Sequence, residues 1–210
     1  SVFSRVLSRA ELPWHIGNSN CYEFKVVFLI KIRHNMLLDF FQKVLALKNI
    51  PRQGWKDKLQ IDNVESVAEH TYSTAIMSMI YSDLHEFDTE KIIKMALLHD
   101  LAESITGDLT PDKISKKSKY EKENLAMKQI LSNIPNKISE SYYKIWDEYQ
   151  RASSEEAKLV HEIDKLEMVF QAKYYYDKGY SKEKLRSFFQ TANIEIKSKY
   201  LREMLSKFLE

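Results

Sequence analysis

The chain has 210 residues, enough for one sizeable hydrophobic core. Its residues are 44% apolar and 30% charged, which excludes a wholly disordered or collagen-like polymer. Thirty-two basic residues face 30 acidic ones, a net charge of +2, so no global field favours nucleic acid and none is expected as a partner.

Residues 1–35 carry Pro13, Gly17 and Cys21 and no clear helical period. Cys21 is the single cysteine, so an intrachain disulfide framework and a Cys-based zinc site are excluded, and a reducing, cytoplasmic setting is the plain reading. The apolar run Val26 to Ile30 lies between Lys25 and Lys31 and is far too short to span a bilayer, and no signal pattern is convincing; no membrane partner is expected. Residues 1–35 therefore read as an N-terminal extension without an assigned function, and residues 36–210 as one domain.

Met36 opens an amphipathic helix with Leu37, Phe40, Phe41, Val44 and Leu45 on one face. Ile50 to Trp55 breaks it, and a polar connector runs to Ser66. Ser66-Val67-Ala68-Glu69 fits a capping box. The helix it opens carries Tyr72, Ala75, Ile76, Met79 and Ile80 at helical spacing, with His70 in its first turn. Thr89 is the next candidate N-cap, before a helix Glu90 to Ile105 that is apolar almost all round, as in the buried centre of a bundle. Gly107 suits its end, with Pro111 beyond. Helices follow at about 118–133 and 137–151, then a long one from Ser153-Ser154-Glu155-Glu156 to just before Gly179, then two shorter ones from Lys182 and Asn193. Only 4 Gly and 4 Pro are present, too few for the turns of a sandwich or barrel, and no period-2 strand is visible. The expected fold is all-α, a single globular helical domain.

His99, Asp100 and Glu103 lie inside the apolar wall of the central helix. An unpaired buried carboxylate costs several kcal/mol, so two carboxylates and an imidazole within five residues need a common explanation. A divalent metal is the economical one, because its charge keeps carboxylates ionised. Mn, Fe and Co take imidazole, carboxylate and water together, and Zn or Mg also suit part of such a set. His70, on an apolar-faced helix, and Asp164, flanked by Val160 and Met168 one turn away, complete a candidate ligand set from three helices. Each alone has an ordinary alternative: a hydrogen-bonded core histidine, or Asp164 paired with Lys165 or Lys94. His161 reads as a solvated flank, and His15, His34 and His85 as surface.

The order Glu69-His70, Leu98-His99-Asp100-Leu101-Ala102-Glu103, Thr106-Gly107-Asp108-Leu109 and Ile163-Asp164-Lys165 resembles the HD-domain phosphohydrolases. Arg52-Gln53-Gly54-Trp55 before the first histidine, and the run from His99 to Asp108, resemble their 5′-deoxynucleotidase branch; the likeness covers residues 36 to about 178. The resemblance implies hydrolysis of 2′-deoxyribonucleoside 5′-monophosphates with one divalent metal ion on His70, His99, Asp100 and Asp164, and a homodimer as the assembly. Glu103, one turn from the metal face, is the candidate to orient or deprotonate the water. By resemblance, Asp108 handles the leaving 5′ oxygen or the sugar. Arg52 offers a planar bidentate donor to phosphate, and Trp55 a surface that crowds a ribose 2′-OH. The ordinary alternatives are a turn with Trp55 plugging the core, and Asp108 capping the segment before Pro111. Other HD-domain chemistry, on cyclic or pyrophosphate-linked nucleotides, is the second reading. Two-metal relatives of that kind carry extra histidines between the His-Asp pair and the last Asp, where this chain has only His161. A non-catalytic nucleotide-binding protein is the third.

Overall fold

The structure, a computed structural model, describes residues 35–209, and the expectations for Pro13, His15, Gly17, Cys21, His34 and the run Val26 to Ile30 lie outside them. Residues 35–46 form α1, which runs through a 3-10 turn, Leu47–Asn49, into an extended crossing where Pro51 bridges antiparallel to Ser66. Two backbone bonds fix that crossing: Val67 N–H to the Ile50 carbonyl and Arg52 N–H to the Glu65 carbonyl, both at 2.8 Å. The face expected on α1 is only partly used. Of that face only Phe40 packs on the core, while Leu37, Phe41, Val44 and Leu45 stay exposed; Leu47, in the 3-10 turn, is buried.

The connector holds a helix that the sequence pattern hides: α2, Gln53–Leu59, closed by Gln60 in the left-handed conformation at φ +58°. Then come α3 Val67–Leu84, α4 Thr89–Leu98, the single turn α5 Glu103–Thr106, α6 Lys116–Leu131, α7 Asn136–Gln150, α8 Glu155–Asp177, α9 Lys182–Glu195 and α10 Lys199–Leu209. No strand occurs among the described residues, so the all-α class holds.

Capping explains the starts. Ser66 and Glu69 form the full reciprocal box on α3, and Ser154 accepts from the Ala157 amide on α8. On α4 the cap is Asp88 rather than Thr89; its side chain accepts from the Lys91 amide. The last break falls at Ile196, in extended conformation, so Asn193 lies inside α9 instead of opening a helix.

Two departures from the sequence pattern shape the core. On α3 the buried face is the small and polar one, His70, Thr71, Thr74, Ala75, Ser78 and Ser82, and Tyr72, Ile76 and Ile80 are exposed. Small side chains let α3 lie close against α4 and α8, its main neighbours. The central helix also stops early. Ala96's carbonyl is engaged by His99 Nδ1 at 2.6 Å, and His99's by Trp146 Nε1 at 3.3 Å. The next amides then close tighter turns, Leu101 N–H to Leu98 and Glu103 N–H to Asp100, of the 3-10 kind. Leu97 and Ile105 are left exposed.

The long α8, about 34 Å at helical rise, is the spine against which α3, α4, α7, α9 and α10 pack. One apolar cluster joins Ile92, Met95, Val160, Ile163, Val169 and Leu185; another joins Val67, Leu98, Leu101, Met127, Ile130 and Trp146. His99 stands at their seam: its ring is 5.4 Å from Tyr149 of the first, and its carbonyl accepts from Trp146 of the second.

Candidate functional site

Burial places His70 and His99 where water cannot compete, and hydrogen bonds then aim them. His70 is fully buried, and its Nδ1 meets Glu167 Oε2 at 2.6 Å. His99 Nδ1 donates to the Ala96 carbonyl. With both Nδ1 atoms committed, the two Nε2 atoms face each other at 3.4 Å. Asp100 Oδ2 lies 3.1 Å from His99 Nε2 and 3.7 Å from His70 Nε2. Ligand atoms of His70, His99 and Asp100 all fall within 4.8 Å of one another. Asp164 Oδ1 approaches from α8, 3.2 Å from His70 Nε2, yet has no hydrogen-bond partner although buried. Its Oδ2 is held by Lys165 at 2.9 Å, while Lys94 turns to Glu90 instead.

This donor set fits a divalent cation. Two imidazole nitrogens with their partner nitrogens already used, one carboxylate between them and one orphaned carboxylate oxygen make a pocket of lone pairs. Burial opposes ionised carboxylates, but the surrounding His99, Arg52 and His70 hold Asp100 far below the usual range, and Lys165 and His70 do the same for Asp164. Burial and the Arg52 guanidinium act against a charged His70. The Asp164 and Glu167 carboxylates overcome both and raise it to about 10.

Over this cluster opens a cavity of about 470 Å³. Arg52, the N-cap residue of α2, lines it and bonds Asp100 Oδ2 through one guanidinium nitrogen at 3.2 Å. Asp108, after the turn at Gly107 (φ +70°, ψ 169°, a region only glycine enters freely), lines it too. Asp108 caps α2 by accepting from the Gln53 amide at 2.7 Å, not the segment before Pro111. Glu103 is 1% exposed, with Oε2 unpartnered and Oε1 3.5 Å from Lys119. Burial, then the Asp100 and Asp108 carboxylates, push its acid form well above the ordinary value.

Trp55 is helical rather than part of a turn, and only 2% exposed. Its indole N–H donates to Glu65 Oε2 at 3.0 Å, its ring lies 3.9 Å from Phe188, and its remaining edge lines the cavity. Phe188 of α9 packs over Gly54: a Cβ there would stand 3.4 Å from its ring, at the edge of ordinary contact.

Several residues at the site escaped sequence reasoning. Glu167 sits three positions after Asp164, on the same helix face, and that spacing was a usable signal. Glu65, Lys119 and Glu123 are buried or half-buried charges with no local mark in a sequence that is 30% charged. His161 is not a solvated flank. It is half-buried, stacks on Tyr149 at 3.9 Å and donates through Nε2 to the Tyr149 carbonyl at 2.8 Å. His85 is exposed and packs on Tyr81 and Tyr200.

Residues 44–204 match the HD domain model. Human 5′-deoxynucleotidase HDDC2 is 38% identical over 156 residues, 74% of this chain and 76% of that protein. The Saccharomyces cerevisiae 5′-deoxynucleotidase YGK1 is 33% identical over 190 residues, 88% of this chain and 87% of its own. Among solved structures, the PH0347 protein of Pyrococcus horikoshii superposes with a TM-score of 0.67 at 32% identity, covering 81% of this chain and 96% of that one.

Proposed function

The chain belongs to the HD-domain family, and on that premise we infer that it hydrolyses 2′-deoxyribonucleoside 5′-monophosphates to deoxynucleoside and inorganic phosphate with a divalent metal ion. The carrying observation is the pair of facing Nε2 atoms, 3.4 Å apart, under a cavity lined by Arg52, Glu103 and Asp108. His70, His99, Asp100 and Asp164 are the residues that would hold the ion; imidazole with carboxylate suits Mn, Fe or Co. When bound, such an ion lowers the pKa of coordinated water and neutralises phosphoryl charge.

The chain's own residues supply the rest. Arg52, held in place by Asp100, presents its remaining guanidinium donors to the phosphate oxygens. Glu103 orients the attacking water at its unpartnered Oε2 and, in its ionised form, takes the proton; Lys119 and Arg52 favour that form against burial and the Asp100 and Asp108 carboxylates. Asp108 is anchored through Oδ2 by the α2 amide, which leaves Oδ1 for the 5′ oxygen or the sugar. Phosphoryl transfer asks mainly for such positioning and charge neutralisation. Trp55 and Phe188 form the wall against which the sugar packs.

We extend the reading to a homodimer, supported by the exposed apolar stripe Tyr72, Ile76 and Ile80 on α3, and to a cytoplasmic setting, supported by a single cysteine. Residues 36–210 are the catalytic domain in this reading. The test is phosphate release from matched deoxy- and ribonucleoside 5′-monophosphates with Mn²⁺ or Co²⁺ added. Preferential release from the deoxy series is expected; equal use of both sugars overturns the deoxynucleotidase reading.

A further inference from the structure

Glu65 contacts Arg52, Trp55 and Tyr175 beside the cavity and belongs to none of the roles assigned above. It precedes Ser66, the cap of α3, and is 9% exposed. Its carbonyl accepts from the Arg52 amide at 2.8 Å. Its own amide donates to the Tyr175 hydroxyl at 3.0 Å, and the Tyr175 ring lies 5.3 Å from Trp55. Its Oε2 accepts the Trp55 indole N–H at 3.0 Å. Finally, ligand atoms of Glu65, Glu167 and His70 lie within 4.8 Å of one another.

We propose that Glu65 is a positioning residue that ties the segment Arg52 to Trp55 to the Glu167–His70 pair behind the metal position. Asp108, Asp100 and Phe188 hold the seven-residue α2 from the cavity and α9 sides. Glu65 is the residue whose bonds join Arg52 and Trp55 to the Glu167–His70 side. A buried carboxyl costs stability unless its atoms are bonded, so a purely structural post is served as well by an apolar side chain of similar size. An apolar side chain cannot accept the indole N–H while bearing on Glu167. Glutamine can do both: its amide oxygen accepts from Trp55 and its NH₂ donates to Glu167. Outer-shell partners of metal-binding histidines commonly tune ion affinity by about 10- to 100-fold.

The inference rests on the nucleotide reading above only for the direction of its sugar readout. The experiment compares wild type, Glu65→Leu, Glu65→Gln and Trp55→Phe in the full chain. One readout is Mn²⁺ remaining after dialysis against graded EDTA, measured by mass spectrometry; the other is the ratio of kcat/KM for matched deoxy- and ribonucleotides. Glu65→Leu is expected to lose Mn²⁺ at about tenfold lower EDTA and to narrow the sugar ratio, with Glu65→Gln recovering most of both. Trp55→Phe keeps an aromatic ring in the core while removing the N–H donor together with the five-membered ring that carries it. It is expected to weaken Mn²⁺ retention although residue 55 contacts no ligand, and it remains informative if Glu65→Leu does not fold. Lowered Tm in Glu65→Leu with unchanged retention and sugar ratio, or unchanged retention in Trp55→Phe, overturns the proposal. A wild type indifferent to the sugar defeats the nucleotide reading instead and leaves the Mn²⁺ comparison to decide Glu65.

Discussion

Glu167 Oε2 lies 2.6 Å from His70 Nδ1, and both side chains are almost sealed from solvent. The carboxylate fixes the tautomer and rotation of the ring, so that Nε2 meets Asp164, Asp100 and His99. Glu167→Ala is therefore expected to lower ion affinity by about 10- to 100-fold, with turnover recovering at saturating Mn²⁺. Metal content after dialysis, alongside activity against Mn²⁺ concentration, checks it. Wild-type retention in the variant would mean that the ring needs no such support.

The same geometry gives a pH dependence. His70 is raised from 6.5 to about 10 in the ion-free protein, against burial and Arg52, by the Asp164 and Glu167 carboxylates. An ion must displace that proton, so Mn²⁺ affinity should rise as pH rises, by up to about tenfold per unit, and binding should release a proton. Calorimetry between pH 6.5 and 8.5 in buffers of different ionisation enthalpy reads both. For stability the sign is the opposite. A raised folded-state value contributes stability that is fully present below about 6.5 and lost as pH rises through about 10. The ion-free Tm should fall across that window, and His70→Gln should flatten this part of the decline.

Asp100 and Glu103 sit three residues apart and should fail differently. Asp100→Ala removes a charged ligand and frees Arg52, so ion retention and turnover should both vanish. Glu103→Ala should keep the ion and lose rate by about 10²- to 10⁴-fold, as acid–base groups do. Loss of the ion in Glu103→Ala would make Glu103 a ligand. Lys119, which lies 3.5 Å from Glu103 and 3.4 Å from Glu123, should matter through the same carboxyl. Lys119→Met is expected to lower kcat with KM and ion content little changed.

The all-α class was legible in the sequence, and so was the convergence of three candidate site residues. Histidines and aspartates on apolar stripes stand out because burial without a partner is costly, and His70, His99 and Asp100 do converge. Helix existence was also readable, from Ser66 and Ser154 caps and from apolar runs. What pattern alone could not show was the end of α4 at Leu98. The tightening there depends on Trp146, 47 residues away, taking the His99 carbonyl. The exposed face of α3 was misread for a related reason. Periodicity marks Tyr72, Ile76 and Ile80 as core, whereas close helix contact selects Thr74, Ala75 and Ser78. Glu65 was invisible because nothing local distinguishes a buried glutamate from a solvated one, whereas Glu167 carried a signal in its spacing one turn after Asp164.

Sugar selectivity offers the sharpest remaining test. A hydrophobic wall discriminates against one extra hydroxyl by only about a hundredfold, and stronger rejection needs a polar group engaged at that position. In the proposed reading Trp55 and Phe188 would form the wall, and Asp108, which lines the same cavity, is the candidate polar group. Trp55→Ala should lower kcat/KM on deoxynucleotides and narrow their advantage over ribonucleotides. Because Trp55 is 2% exposed, the substitution also opens the core, at a cost of about 3–5 kcal/mol, so kinetics belong well below the variant's Tm. Arg52→Ala removes a phosphate donor common to both series and should weaken both about equally, leaving the ratio intact. Matched kcat/KM values for both sugars on wild type and the two variants decide the matter. A ratio unchanged in Trp55→Ala would leave the activity standing and return Trp55 to the core-filling role that its contacts with Tyr175 and Phe188 already give it. A ratio changed in Arg52→Ala would show that the Arg52–Asp100 pair reaches the sugar and does more than hold phosphate.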